Sequence, residues 1–162
     1  MFNYFPRKEE LFFDLKGEGE SPIEAALANR PDGEALSVSL RNLFRELMKT
    51  GHSFVSFTMG IAQFWRTVGN SKALSARARE LGDEFSDNLA RMLAKAAGQT
   101  EPDAEARLAA TMLVSTWICA HAEALRRFER GDSPAKVEAQ FVSLVERGMA
   151  GRSAALSGTA YV

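Results

Sequence analysis

The 162-residue sequence predicts an all-α helical bundle, and three observations support this fold class. Alanine is abundant whereas the β-branched residues valine and isoleucine are few, and this balance favours helix over strand. Several long stretches carry apolar residues at spacings of three and four, which is the period of an amphipathic helix. The prolines lie where such stretches start or stop, as expected of a residue that cannot donate a hydrogen bond inside a helix.

The chain begins with two short predicted helices. The first covers residues 6–16 and is ended by two glycines, Gly17 and Gly19. Ser21 and Glu24 form a capping box with a proline at the first helical position, so a second helix is expected over residues 22–29.

Five longer helices follow, each bounded by a capping residue or a glycine. They are predicted over residues 34–49, 54–68, 72–97, 100–130 and 134–147. Residues 150–162 are mostly small, offer little to bury and are expected to be disordered.

The predicted helix over residues 100–130 has an apolar arc of roughly 180°, wider than the ~100° stripe of an ordinary surface helix. Such an arc needs two sets of neighbours. One is the rest of the chain, and the other is most simply a second copy that packs this helix and the last one into a four-helix interface. The alternative is a central helix buried within one monomer. The residues predicted at the homodimer interface are Val114, Ile118, Leu125, Phe128, Phe141, Leu144 and Val145.

The composition argues against several classes of protein. The single cysteine, Cys119, cannot form an internal disulfide, which favours the reducing cytoplasm. No apolar run approaches the ~18 residues of a membrane span, so no membrane association is expected. Of the two histidines, His52 and His121, the second lies about 200° around its helix from Cys119, so they cannot share a metal ion or form a nucleophile and base pair. We expect a protein that is not an enzyme and holds no cofactor or metal.

The N-terminal residues FNYFP and KEEL, at positions 2–6 and 8–11, place aromatic side chains before any helix that could bury them. They resemble the junction in TetR-type transcription regulators where the recognition helix of the helix-turn-helix ends and the fourth helix begins. The order and lengths of the later predicted helices resemble the effector-binding and dimerisation part of that family. The resemblance implies that Tyr4 and Lys8 contact DNA phosphates. Without it, both are ordinary surface residues.

The chain departs from the family because the first two helices and the start of the recognition helix are absent from the sequence. Base readout needs a recognition helix held in the major groove, and a net charge of -1 does not favour non-specific DNA binding. Residues 1–16 are therefore interpreted as the remnant of the DNA-binding head with its linking helix, and residues 17–149 as the effector-binding and dimerisation domain. A DNA operator is expected as a partner only for a complete protein that contains the missing helices. Two explanations of their absence remain open, namely a start of translation that was placed too late and a natural loss of the upstream coding sequence.

The apolar residues of the helical body can form either a solid core or a pocket. The resemblance favours a pocket for a small hydrophobic effector, such as an acyl thioester or another lipophilic compound, in a transcriptional repressor. The alternative function is a ligand-binding and dimerisation module that does not bind DNA itself. His121 is either hydrogen-bonded at a helix contact or a ligand contact. The predicted pocket residues are Phe44, Met48, Phe57, Phe64, Trp65, Phe85, Leu89, Met92, Trp117 and His121.

Overall fold

The computed structural model describes residues 22–52 and 55–162, and these residues form six helices and no strand. The all-α prediction is therefore confirmed for the described part of the chain. Tyr4, Lys8 and the predicted helix over residues 6–16 lie outside the described residues. The helices are α1 (Pro22–Ala28), α2 (Leu36–Thr50), α3 (Met59–Gly69), α4 (Lys72–Ala96), α5 (Ala104–Glu129) and α6 (Pro134–Ala155).

The chain divides into two compact units, Met1–Ser56 and Phe57–Val162. In the described part of the first unit, α1 packs against α2. The side chains of Leu36, Leu40 and Phe44 are buried. The helix α2 ends where Gly51 adopts a left-handed φ of 62°, a conformation that glycine reaches without steric cost.

The second unit contains α3 to α6, in which α3 contacts α4, α4 contacts α5 and α5 contacts α6. The helix predicted over residues 54–68 begins later than expected. The first turn of α3 is capped by Thr58, whose hydroxyl accepts a hydrogen bond from the Ile61 N–H at 3.3 Å. Phe57 consequently precedes the helix instead of lying on it.

The contact between α5 and α6 depends on small side chains. Ala106, Ala120 and Ala124 on α5 are fully buried. A Cβ atom placed on Gly148 of α6 would overlap the side chain of Thr116 on α5, so the two helices approach each other as closely as a glycine allows. The absence of a side chain at Gly148 therefore lets the two long helices pack closely at this point.

The C-terminal residues are ordered, in contrast to the disorder expected for residues 150–162. The helix α6 continues to Ala155, and Leu156 and Tyr161 are each only 1% exposed. The Arg152 guanidinium, also buried, donates a hydrogen bond through Nη2 to the Tyr161 carbonyl at 2.5 Å. The small residues of this segment gave no sign that the helical spacing of buried residues continues. In the structure, the buried residues Val145, Arg152 and Leu156 extend the buried face of α6.

One described helix, α5, is long and apolar enough to cross a membrane by length and composition. The sequence-based prediction that no segment is long and apolar enough therefore does not hold for α5. An apolar helix in the core of a globular protein meets the same criterion, and α5 contacts both α4 and α6.

Candidate functional site

Three aromatic side chains surround the imidazole of His121 in the second unit, and a fourth packs against one of these three. The ring of Trp117 stacks on it with a centroid distance of 4.8 Å and an angle of 23°. Phe57 lies 5.4 Å and Trp65 lies 6.2 Å from the same imidazole. Phe141 meets Phe57 edge to face at 5.1 Å. We call these five residues the His121 cluster.

The His121 cluster is assembled from three helices and one connecting segment. Trp117 and His121 are four residues apart on α5, so their side chains lie on the same face one turn apart. Trp65 comes from α3 and Phe141 from α6, while Phe57 is placed by the segment that precedes α3. Because these residues come from distant positions in the chain, the cluster forms only when α3, α5 and α6 pack together.

The imidazole of His121 is the titratable group of this cluster, and it is only 5% exposed. Burial lowers the pKa of His121 from 6.5 to about 4, since the surrounding rings cannot solvate the charged form. The imidazole is therefore neutral at physiological pH and carries one N–H donor and one acceptor nitrogen. The arrangement offers an apolar, aromatic surface whose polar groups are the neutral imidazole of His121 and the indole N–H groups of Trp65 and Trp117.

The structure brings together only part of the predicted pocket. Phe57, Trp65, Trp117 and His121 belong to the cluster, and Phe64 contacts Trp65 with a centroid distance of 5.3 Å. The other predicted pocket residues lie elsewhere. Three of them belong to α4, where Leu89 is buried and Phe85 and Met92 are half-buried. The remaining two, Phe44 and Met48, lie on α2 of the first unit.

Phe141 is the cluster residue that sequence reasoning assigned elsewhere, to the homodimer interface. Its side chain is fully buried within the single chain, and the same is nearly true of Val114, Leu125 and Val145. In this conformation these four predicted interface residues have no surface to offer a second copy. Phe128 and Leu144 are half-buried, and Ile118 is 47% exposed.

Charged residues concentrate at the C-terminal end of α5. The carboxylate of Glu123 lies 3.2 Å from Arg126 and 3.3 Å from Arg130. The hydrogen bond from Arg126 lowers the pKa of Glu123, and the nearby charges of Arg130 and Arg126 act in the same direction. Among residues 22–52 and 55–162, no group of three or more histidine, cysteine, aspartate or glutamate residues is arranged to hold a metal ion.

No protein-family model matches the chain, and no curated protein or solved structure shows a significant match to it.

Proposed function

We propose that this chain is the effector-sensing and dimerising body of a TetR-like transcriptional repressor of the cytoplasm, and that a small hydrophobic effector binds at the His121 cluster. The observation that carries the proposal is the neutral, buried imidazole enclosed by aromatic rings from α3, α5 and the segment that precedes α3. The resemblance of residues 2–11 to the TetR-type junction supports the assignment to gene regulation, and the all-helical architecture is consistent with it.

The chemistry of the cluster selects the class of effector. Aromatic rings stabilise an apolar body by burying its surface, which contributes about 25 cal/mol per Å². A charged carboxylate or phosphate inside the cluster would lose its hydration without gaining a compensating cation. A neutral carbonyl can instead accept a hydrogen bond from the imidazole N–H of His121. An acyl chain joined to a thioester carbonyl has this combination of properties, and its charged carrier would stay outside.

Effector binding at the cluster would act on the helices that build it. Trp65, Phe141 and the pair Trp117 and His121 belong to three different helices, so an inserted ligand changes the packing of α3 and α6 against α5. In the proposed mechanism the ligand stabilises one of two arrangements of the body, and the change in population is transmitted to a DNA-binding head. The proposal involves no catalytic step.

Tryptophan fluorescence tests the ligand site directly, because both tryptophans of the chain belong to the cluster. Octanoyl- and palmitoyl-coenzyme A are titrated into the protein, with free coenzyme A as the ligand control. We expect a saturable change with the thioesters only, and its loss in His121→Leu. The matched control is Phe128→Leu, which alters a half-buried ring near the end of the same helix.

The result that contradicts the proposed site is a thioester titration that His121→Leu leaves unchanged. Circular dichroism confirms that each variant keeps its helical content, so a lost response is attributed to the site and not to unfolding.

A net charge of -1 favours the second candidate function, a ligand-binding and dimerisation module without DNA binding of its own. This second candidate has the same ligand site as the proposed repressor and differs from it in having no affinity for DNA. An electrophoretic mobility assay with a short duplex at physiological salt separates the two.

A further inference from the structure

The guanidinium of Arg152 on α6 is buried without a carboxylate partner in the described part of the chain. Only 1% of the residue is exposed. Its Nη2 donates a hydrogen bond to the Tyr161 carbonyl at 2.5 Å, whereas its buried Nε has no acceptor among the described residues. By contrast, the exposed arginines Arg66 and Arg77 each pair with a glutamate. Because arginine is almost never fully buried unless it is paired, the burial of Arg152 needs a reason.

The chemistry of the guanidinium indicates which group would complete its bonding. Burial lowers the pKa of Arg152 to about 10, since the surrounding protein solvates the charged form less well than water does. The side chain therefore stays protonated at physiological pH and holds its N–H donors in a planar fork. The Tyr161 carbonyl is neutral and does not compensate this charge. A carboxylate or phosphate would supply the negative charge and can accept two parallel hydrogen bonds from the fork.

The segment over residues 157–162, which we call the strap, covers Arg152 with Tyr161. Gly158 turns the strap with a φ of 82°, and the Tyr161 N–H donates locally to Thr159 Oγ1 at 3.1 Å. The Tyr161 ring is buried, and its hydroxyl has no hydrogen-bond partner among the described residues. Burial, and after it the nearby Asp103 carboxylate, raises the pKa of this hydroxyl. The closed strap thus leaves two buried donors unsatisfied, Arg152 Nε and Tyr161 Oη, and each of them costs stability.

We propose that Arg152 is an anion-binding residue closed off by the strap, and that a carboxylate or phosphate group binds to it by displacing the Tyr161 carbonyl. Binding pairs the buried charge and lets the Tyr161 hydroxyl bond to water, so both unsatisfied donors gain partners. The opposing cost is the exposure of the Tyr161 ring to water. The anion therefore shifts the population from a closed to an open strap. This site lies roughly 16 Å further along α6 than Phe141 of the His121 cluster, at 1.5 Å per residue.

Fluorine NMR of Tyr161 tests the displacement directly. The chain has two tyrosines, so Tyr4→Phe leaves Tyr161 as the single position for a 3-fluorotyrosine label. Sodium phosphate and sodium acetate are titrated separately into the labelled full chain, with sodium chloride at matched ionic strength as the reference. We expect a saturable change of the fluorine resonance toward its position in the urea-unfolded protein, with an oxyanion and not with chloride. A response to only one oxyanion identifies the group that the site accepts.

Substitutions at Arg152 separate anion binding from a merely structural role. Arg152→Gln removes the charge and keeps a donor for the Tyr161 carbonyl, so the response to oxyanions should disappear. Arg152→Lys keeps the charge without the planar fork, so the half-saturating concentration is expected to rise by about tenfold. The matched control is Arg147→Gln, which removes an exposed guanidinium from the same helix and should leave the titration unchanged.

The anion site is refuted if neither oxyanion changes the Tyr161 resonance beyond the chloride reference, a result that needs no substitution at Arg152. It is equally refuted if Arg152→Gln, with its helical content verified by circular dichroism, responds as the unsubstituted protein does. In either case Arg152 only anchors the strap. The thioester titration uses tryptophan fluorescence at the His121 cluster and is scored separately, so either site can fail without the other.

Discussion

The buried imidazole of His121 makes the free energy of unfolding depend on pH. Burial lowers its pKa from 6.5 in the unfolded chain to about 4, so the unfolded chain binds more protons than the folded chain between these two values. The stability linked to His121 is therefore fully present above the unfolded pKa and is lost as the pH falls toward the folded pKa. Since one pH unit inside this window is worth about 1.4 kcal/mol, acidification from pH 7 to pH 5 should cost about 2 kcal/mol.

Urea denaturation at the two pH values measures this cost. Tryptophan fluorescence is the suitable signal, because Trp65 and Trp117 both lie in the second unit with His121. The variant His121→Phe keeps a ring in the cluster and removes the titrating group, so its share of the pH dependence should disappear. The variant His52→Gln replaces the other histidine and is the control. It should retain the pH dependence that His121 contributes. The reasoning fails if His121→Phe loses as much stability on acidification as the wild type.

Three further predictions concern packing and capping. Gly148→Ala should destabilise the second unit by about 2 kcal/mol, because the added methyl overlaps Thr116, and the cost should shrink in a Thr116→Gly background. Asp103→Ala should cost about 1 kcal/mol, since the carboxylate caps α5 by accepting the Ala106 N–H at 2.7 Å, whereas Asp103→Asn should retain most of the stability. Tyr161→Ala should cost about 3 kcal/mol by removing a buried ring and should speed proteolysis of the C-terminal residues. Chemical denaturation and limited proteolysis check these values.

Helix boundaries could be predicted from sequence where the deciding chemistry is local. Gly51 follows α2 in a left-handed conformation, and Asp103 caps α5, as the residue types indicate. The start of α3 was missed because Ser53 and Thr58 are both competent caps. The structure uses Thr58, and Phe57 just before it then reaches the His121 cluster. Local capping chemistry does not distinguish a helix that starts after Ser53 from one that starts after Thr58. The tertiary packing of the Phe57 ring does distinguish them.

The candidate site could be predicted where its contacts lie within one helix. Trp117 and His121 are four residues apart, so their stacking follows from helical geometry. Phe141 was correctly placed on an apolar face of the last helix, but its partner was not predictable, because the rotation of α6 against α5 is fixed by tertiary packing. The close approach of Gly148 to Thr116 helps to fix this rotation, and it cannot be recognised from the spacing of apolar residues in the sequence.

The wide apolar arc of α5 predicts two sets of neighbours, and the structure shows how much of it the chain buries itself. Val114 and Leu125 are buried, whereas Ile118 at the edge of the arc is 47% exposed. Because the buried residues have partners within the single chain, the width of an apolar arc does not by itself distinguish a second copy from a further helix of the same chain.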